Sequence, residues 1–444
     1  MELSSAPLLD PPDLSESSTQ PVGELAEEFR GVWRSVISRM ARRCSGRVIQ
    51  GLSGGLDSRG ILVGLSDIGV RPLSFTYGSR DVDEVKIASR VADALEVPHL
   101  RIPVHQTNML AGIEEAISAL DGTQSVVELY EYYFAKELCS IGDTFVSGVS
   151  GDVFWGSDHA TGVSDAPALR QMLMRRYASN LIALSPFLVP DWRRVAMSVL
   201  SEGVEESCAF LDVQSRLDVS TFWNLRNRQT RWGFGLNNAI RRMGLQYENP
   251  FFDSEFIAFM RRVPPRLRLH GRLYLEVHRR VFARTSHIAR SIGAPPPALP
   301  QDFLYLTHAR SSSSQALELL RLYPLAGMHR IGHLVTRRGV LALAKSMRWR
   351  HLHDSQAMRR DVLPLEVLIR NNPICRQRFV ELLEEATAYA PEFVDRQPLL
   401  AAQSAARKGT VFCNPRLLGR VASICLWHKL WTTQGGNSSW NRDH

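Results

Sequence analysis

Ser53-Gly54-Gly55-Leu56-Asp57-Ser58 sets two hydroxyls and a carboxylate around a pair of glycines. Adjacent glycines let backbone approach a phosphate closely, and serine hydroxyls donate to its oxygens. Asp57 sharpens this reading, because a carboxylate beside a phosphate nest is repelled unless a divalent cation such as Mg2+ sits between them. A second stretch, Asp143-Thr-Phe-Val-Ser-Gly-Val-Ser-Gly-Asp152-Val-Phe-Trp-Gly156, again runs from apolar residues through a Ser/Gly loop to an aspartate.

Such loops need a strand before them and a helix after. Val48, Ile49 and Leu52 suit a buried strand, and Ser58 or Asp57 can cap the helix that follows, whose free amides favour an anion. Arg71–Gly78 reads as a second strand, Asp81–Glu96 as an amphipathic helix with Asp83 as its cap, and His99–Val104 as a third strand. This alternation predicts an α/β fold, a parallel sheet flanked by helices, with ligands at the carboxyl ends of the strands. Asp57, Tyr77 and the Ser147–Asp152 loop all fall at strand ends.

The first motif resembles the S-G-G-x-D-S signature of the PP-loop ATP pyrophosphatases. Its flanks are most similar to the synthetase domain of asparagine synthetases. The second stretch resembles that family's S-G-E-G-S-D-E-x-F-G-G, matching at Ser147, Gly148, Asp152 and Gly156. The resemblance implies ATP lying across the sheet edge, with adenine held by backbone near Leu52 and Tyr77. It places the pyrophosphate on Ser53, Gly54, Gly55, Leu56, Asp57 and Ser58, with Ser147 and Gly148 beside it. Mg2+ would bridge Asp57 and Asp152, and Arg59 could add a bidentate contact to a phosphate oxygen. Arg226–Gly235 and Glu248–Asp253 resemble the stretch ending in the family's P-F-L-D, with Asp253 capping the next helix.

Three departures bear on activity. Val149 and Val153 stand where the family has glutamates, and valine neither accepts a proton nor positions an amine. The family's lysine, in an R-x-K context after P-F-L-D, has no counterpart in Leu269–Ala298, which contains arginines and no lysine; Arg272, Arg279, Arg280 and Arg284 are the candidates to replace its charge. Glutamine-hydrolysing relatives begin with a catalytic cysteine after the initiator methionine; here Glu2 follows Met1 and the loop begins at Ser53, so no glutaminase domain is expected.

The implied function is an ATP-dependent, AMP-forming ligase that activates a carboxylate as an acyl-adenylate, which an amine or ammonia then attacks. A small-molecule or peptide substrate, and a separate glutaminase or substrate-delivery protein, are the expected partners. Two rivals stay open: a PP-loop adenylating enzyme acting on tRNA, and a catalytically inactive scaffold that kept the fold.

At 444 residues, with 44% hydrophobic and 22% charged residues, the chain can bury two or three domain-sized cores. No apolar run approaches the roughly 18 residues of a membrane helix, so no membrane partner and a cytoplasmic location are expected. The 53 basic against 45 acidic residues lie largely in arginine pairs on amphipathic helices, a solvated face rather than a nucleic-acid surface. Six scattered cysteines form no C-x-x-C pair. The expected organisation is a flexible tail over 1–22, an ATP-pyrophosphatase domain over 23–295, a helical region over 296–433 packed on it, and a disordered tail over 434–444.

Overall fold

Short runs of β-branched and aromatic residues form the centre of the molecule: β1 (Val48–Gly51), β2 (Leu73–Tyr77), β3 (His99–Ile102), β4 (Thr144–Val146) and β5 (Gln246–Glu248). The computed structural model describes residues 20–290, apart from 79, 81, 104–111, 121–124, 126, 128–129, 157–165, 210–218 and 269–270, then residue 297, and residues 365–434 apart from 412. The expected tails therefore lie almost wholly outside the described residues, as does the 298–364 part of the expected helical region.

The strands make one parallel sheet in the order β3-β2-β1-β4-β5. The chain builds outward from β1 to β3, returns across β1, and continues on the other side with β4 and β5. β1 and β4 are therefore the pair at which the strand order reverses, with Gln50 beside Val146. Loops leaving such a pair diverge and open a crevice, the usual ligand site of open α/β sheets. Both motif loops leave from this pair, which is why residues almost a hundred positions apart in the chain can share one site.

Side chains alternate across a strand, so the sheet has two apolar faces. On one face Ile49, Phe75, Phe145 and Tyr247 pack against helices from the carboxyl-terminal region, including Pro373–Ala388, Arg396–Arg407 and Pro415–Gln434. On the other lie α1 (Val22–Arg43), α2 (Leu56–Asp67), α3 (Asp83–Leu95), α4 (Gly151–Phe154), α5 (Ser254–Arg262) and α6 (Arg272–Arg280). α1 buries Leu25, Phe29, Trp33, Val36, Ile37 and Met40, the face its spacing predicts. Its Trp33 indole donates to the Gly60 carbonyl of α2 at 3.1 Å. That close crossing needs glycine: a Cβ at Gly64 would meet Trp33 Nε1 at 2.7 Å.

Asp253 caps α5 as expected, its carboxylate accepting from the Glu255 N–H at 2.9 Å, and it also takes two hydrogen bonds from Arg39 of α1. α3 starts at Asp83 rather than Asp81, and its cap position is Val82 rather than Asp83.

Candidate active site

The first loop is held open by its own hydroxyls. Ser53 N–H donates to Ser58 Oγ at 3.1 Å, the two serine hydroxyls meet at 3.0 Å, and Gly55 N–H donates to Ser53 Oγ at 3.1 Å. No side chain caps α2, whose cap residue is Gly55. Neither Ser58 nor Asp57 is the cap; both lie in the first turn, and the turn's amides remain for an anion. From β1, the buried Gln50 amide donates to the Ser58 carbonyl at 2.6 Å and fixes that turn to the sheet.

The second loop lies directly against the first. A Cβ at Gly148 would come within 3.1 Å of Ser58 N, and one at Gly151 would fall 2.7 Å from both Cγ and Oδ1 of Asp57. Ser147 is tied to β5 by its N–H to the Glu248 carbonyl at 2.9 Å, and its hydroxyl accepts from Val149 N–H at 3.3 Å. Ser150 adopts φ 70°, a left-handed conformation disfavoured for residues other than glycine. Its hydroxyl donates at 2.7 Å to Gln229 at the end of a π-helical turn, Leu225–Gln229. In the family motif quoted above, glycine precedes serine at these two positions; this chain has Ser150 before Gly151. Asp57 fills the space that a side chain at 151 would need.

Asp57 and Asp152 thus come together. The Asp57 carboxylate accepts a hydrogen bond from the Asp152 backbone N–H, and its Oδ1 accepts another from the Tyr274 hydroxyl. Burial, then the charge of Asp152, push the Asp57 carboxyl up to about 7, against the opposing pull of those two hydrogen bonds. Asp57 is half-buried while Asp152 is exposed. An Asp57 carboxylate that feels the Asp152 charge in this way suits a divalent cation shared with Asp152. Mg2+ usually takes one or two protein carboxylates and completes its shell with water and phosphate oxygens. Among the described residues no group of three or more His, Cys, Asp or Glu could form an all-protein cage.

The remaining expected residues divide. Leu52 continues the β1–β2 ladder, its N–H donating to Phe75 O at 2.8 Å while its carbonyl accepts from Thr76 Oγ1. Only the carbonyl's second lone pair is left for a base. Tyr77 ends β2 with its ring stacked on Phe134 at 4.4 Å, in the core with the carboxyl-terminal helices. Leu56 packs on Leu275 and Tyr274 beneath the loop.

Arg59 does something other than expected. Its guanidinium is fully buried and is taken up by backbone, donating to the carbonyls of Thr285 (3.3 Å), Ile288 (2.6 Å), Gly54 (3.1 Å) and Ala289 (3.2 Å). A side chain in the first turn that reached the phosphate would set a cation against the positive end of the helix. Here it instead binds the 285–289 segment to the loop.

The arginines expected to replace the missing lysine are also largely engaged elsewhere. Arg279 and Arg280 both bind the buried Glu276, and Arg284 bonds Ser66 Oγ at 3.0 Å beside Asp67. Val153 is buried in the core, and Val149 packs against the opposite one, so neither glutamate replacement presents a polar group.

Sequence reasoning missed Tyr274 and Trp155. Their rings stack at 4.6 Å with an interplanar angle of 10°. Arg272-Leu273-Tyr274 has the R-x-K spacing with tyrosine at the lysine position; a search for cations passes over it.

Fold and site together define an α/β nucleotide-binding protein of the PP-loop kind. The asparagine synthase family model matches residues 33–290, more than half of the chain, and the protein belongs to that family. Membership carries its coarse activity, ATP-dependent ligation of the synthetase type. No curated protein matches the sequence. Among the described residues no helix is long and apolar enough to cross a membrane.

Proposed function

We infer that the protein activates a carboxylate with ATP, forming an acyl-adenylate and releasing pyrophosphate, and then joins the acyl group to an amine with loss of AMP. The observation that carries this is the meeting of Asp57 and Asp152 beside an uncapped helix N-terminus at the sheet's switch point.

In this reading Ser53, Ser58 and the Gly55 amide exchange their mutual hydrogen bonds for pyrophosphate oxygens, so the loop needs little rearrangement to bind. The pairing of ATP with Leu52 and Tyr77 is part of the proposal, with the second lone pair of Leu52 O as acceptor for an exocyclic amine. Asp57 and Asp152 would hold Mg2+; bound there, the ion neutralises charge building on the departing pyrophosphate. Val149 and Val153 leave no carboxylate at those positions to take a proton from an incoming ammonium. We therefore favour a substrate amine, including one carried by a peptide, over asparagine formation. Ammonia from a separate glutaminase, a substrate-delivery protein and a cytoplasmic location belong to the same proposal.

The test is pyrophosphate release from ATP and Mg2+ across a panel of carboxylates, with Asp57→Ala as control. Carboxylate-dependent release lost in the variant supports adenylation. ATP binding without release for any acid favours the inactive scaffold, which Val149, Val153 and Tyr274 make the second reading; release only with tRNA favours the RNA-modifying alternative.

A further inference from the structure

Tyr274 touches both motif loops at once. Its hydroxyl donates to Oδ1 of Asp57 in the first, and its ring lies flat on Trp155, three residues beyond Asp152 in the second. Trp155 is itself wedged against Phe29 at 5.2 Å and Phe256 at 6.1 Å, so the stack rests on the core rather than on solvent. α6, which carries Tyr274, is anchored by Leu273 and Val277 in that same core.

We propose that Tyr274 is a positioning residue that sets the Asp57 carboxylate, and its spacing from Asp152, for a shared divalent cation. The inference rests on the adenylation reading and deepens it. A carboxylate squeezed against Gly151 and beside a second aspartate would rotate away from that neighbour unless held. The Tyr274 hydroxyl donates to Oδ1 and the Asp152 backbone N–H donates to the same carboxylate; together they fix its plane, and two of its four lone-pair sites are left to face a cation. Partners of this kind, one bond behind a metal ligand, typically contribute about 10–100-fold in metal affinity.

The experiment uses Mn2+ as probe. Its binding to the full chain is followed by electron paramagnetic resonance with a non-hydrolysable ATP analogue present, and the analogue's affinity is measured separately without metal. Tyr274→Phe keeps the ring and the stack on Trp155, so folding is retained. The expected result is Mn2+ binding weakened about 10–100-fold with metal-free analogue affinity unchanged. In an Asp57→Asn background the same Phe substitution should add no further loss, because the hydroxyl acts through that carboxylate. Wild-type Mn2+ affinity in Tyr274→Phe overturns the inference while leaving adenylation intact. So does a parallel loss of metal-free analogue binding, which would mark Tyr274 as a packing residue, and so does full additivity with Asp57→Asn. Absence of any Mn2+ and analogue binding in the wild type overturns both the inference and the adenylation reading beneath it.

Discussion

Arg59→Met separates a scaffold arginine from a phosphate-binding one. The guanidinium serves four carbonyls, those of Gly54, Thr285, Ile288 and Ala289, in a fully buried setting. Burial lowers its pKa to about 10, so it stays charged at neutral pH. Methionine fills most of the volume but donates nothing. Buried acceptors stripped of their donor cost about 1–3 kcal/mol each, while removal of the buried charge returns part of that. Carbonyls also relax toward other donors, so the net loss is expected at about 3–5 kcal/mol, near the low end of the sum for four stripped acceptors. Equilibrium urea denaturation of the full chain measures it. Under conditions where the variant remains folded, metal-free ATP-analogue affinity should lie within about threefold of wild type, a difference below 1 kcal/mol. The opposite pattern refutes the scaffold assignment: stability within about 1 kcal/mol, with affinity lowered by the roughly 10–150-fold that a lost charge-assisted hydrogen bond entails.

Gly151→Ala places a methyl 2.7 Å from Asp57 Cγ and from Phe251 Cε2; overpacking of this kind costs about 1–3 kcal/mol. Urea denaturation and Mn2+ titration should show both lower stability and weaker metal binding, and wild-type values in both would show that Asp57 has room to move. His278 lies between Tyr274 and Phe282 with neither ring nitrogen hydrogen-bonded among the described residues, and burial holds its pKa well below the ordinary 6.5. The unfolded chain therefore binds this proton more readily, so wild-type stability should fall as pH drops through about 6.5. His278→Phe should flatten that acid limb and be neutral or stabilising near pH 8; an unchanged pH profile in denaturation experiments would contradict it.

Local patterns carried most of the fold. The β1 loop and α2 are contiguous in the chain, so apolar run, glycines and serines announce them together, and α1 shows its buried face through Phe29, Trp33 and Met40 alone. β5 was not legible: only three residues long and bounded by Gln246 and Glu248, it becomes a strand by pairing with β4. Arg59 was misread for a related reason. Its carbonyl partners at 285, 288 and 289 are 226 to 230 residues away, and sequence gives a first-turn arginine no sign of them. Tyr274 is 217 residues from Asp57; only the R-x-K spacing pointed to it, and only for a reader prepared to accept a neutral donor there. Ser150 and Gly151 could be read as a composition match, but the reversed order gains meaning once Asp57 is seen to fill the space beside Gly151.

The most direct measurement is a Mn2+ titration, with a non-hydrolysable ATP analogue present, of wild type, Asp57→Asn, Asp152→Asn and the double variant. If the two carboxylates share one ion, wild type binds a single strong equivalent, each substitution weakens it strongly but measurably, and the loss in the double variant falls well short of the sum of the two single losses. Retention of wild-type affinity by Asp152→Asn would contradict the shared site, and the nucleotide chemistry built on it would have to be given up.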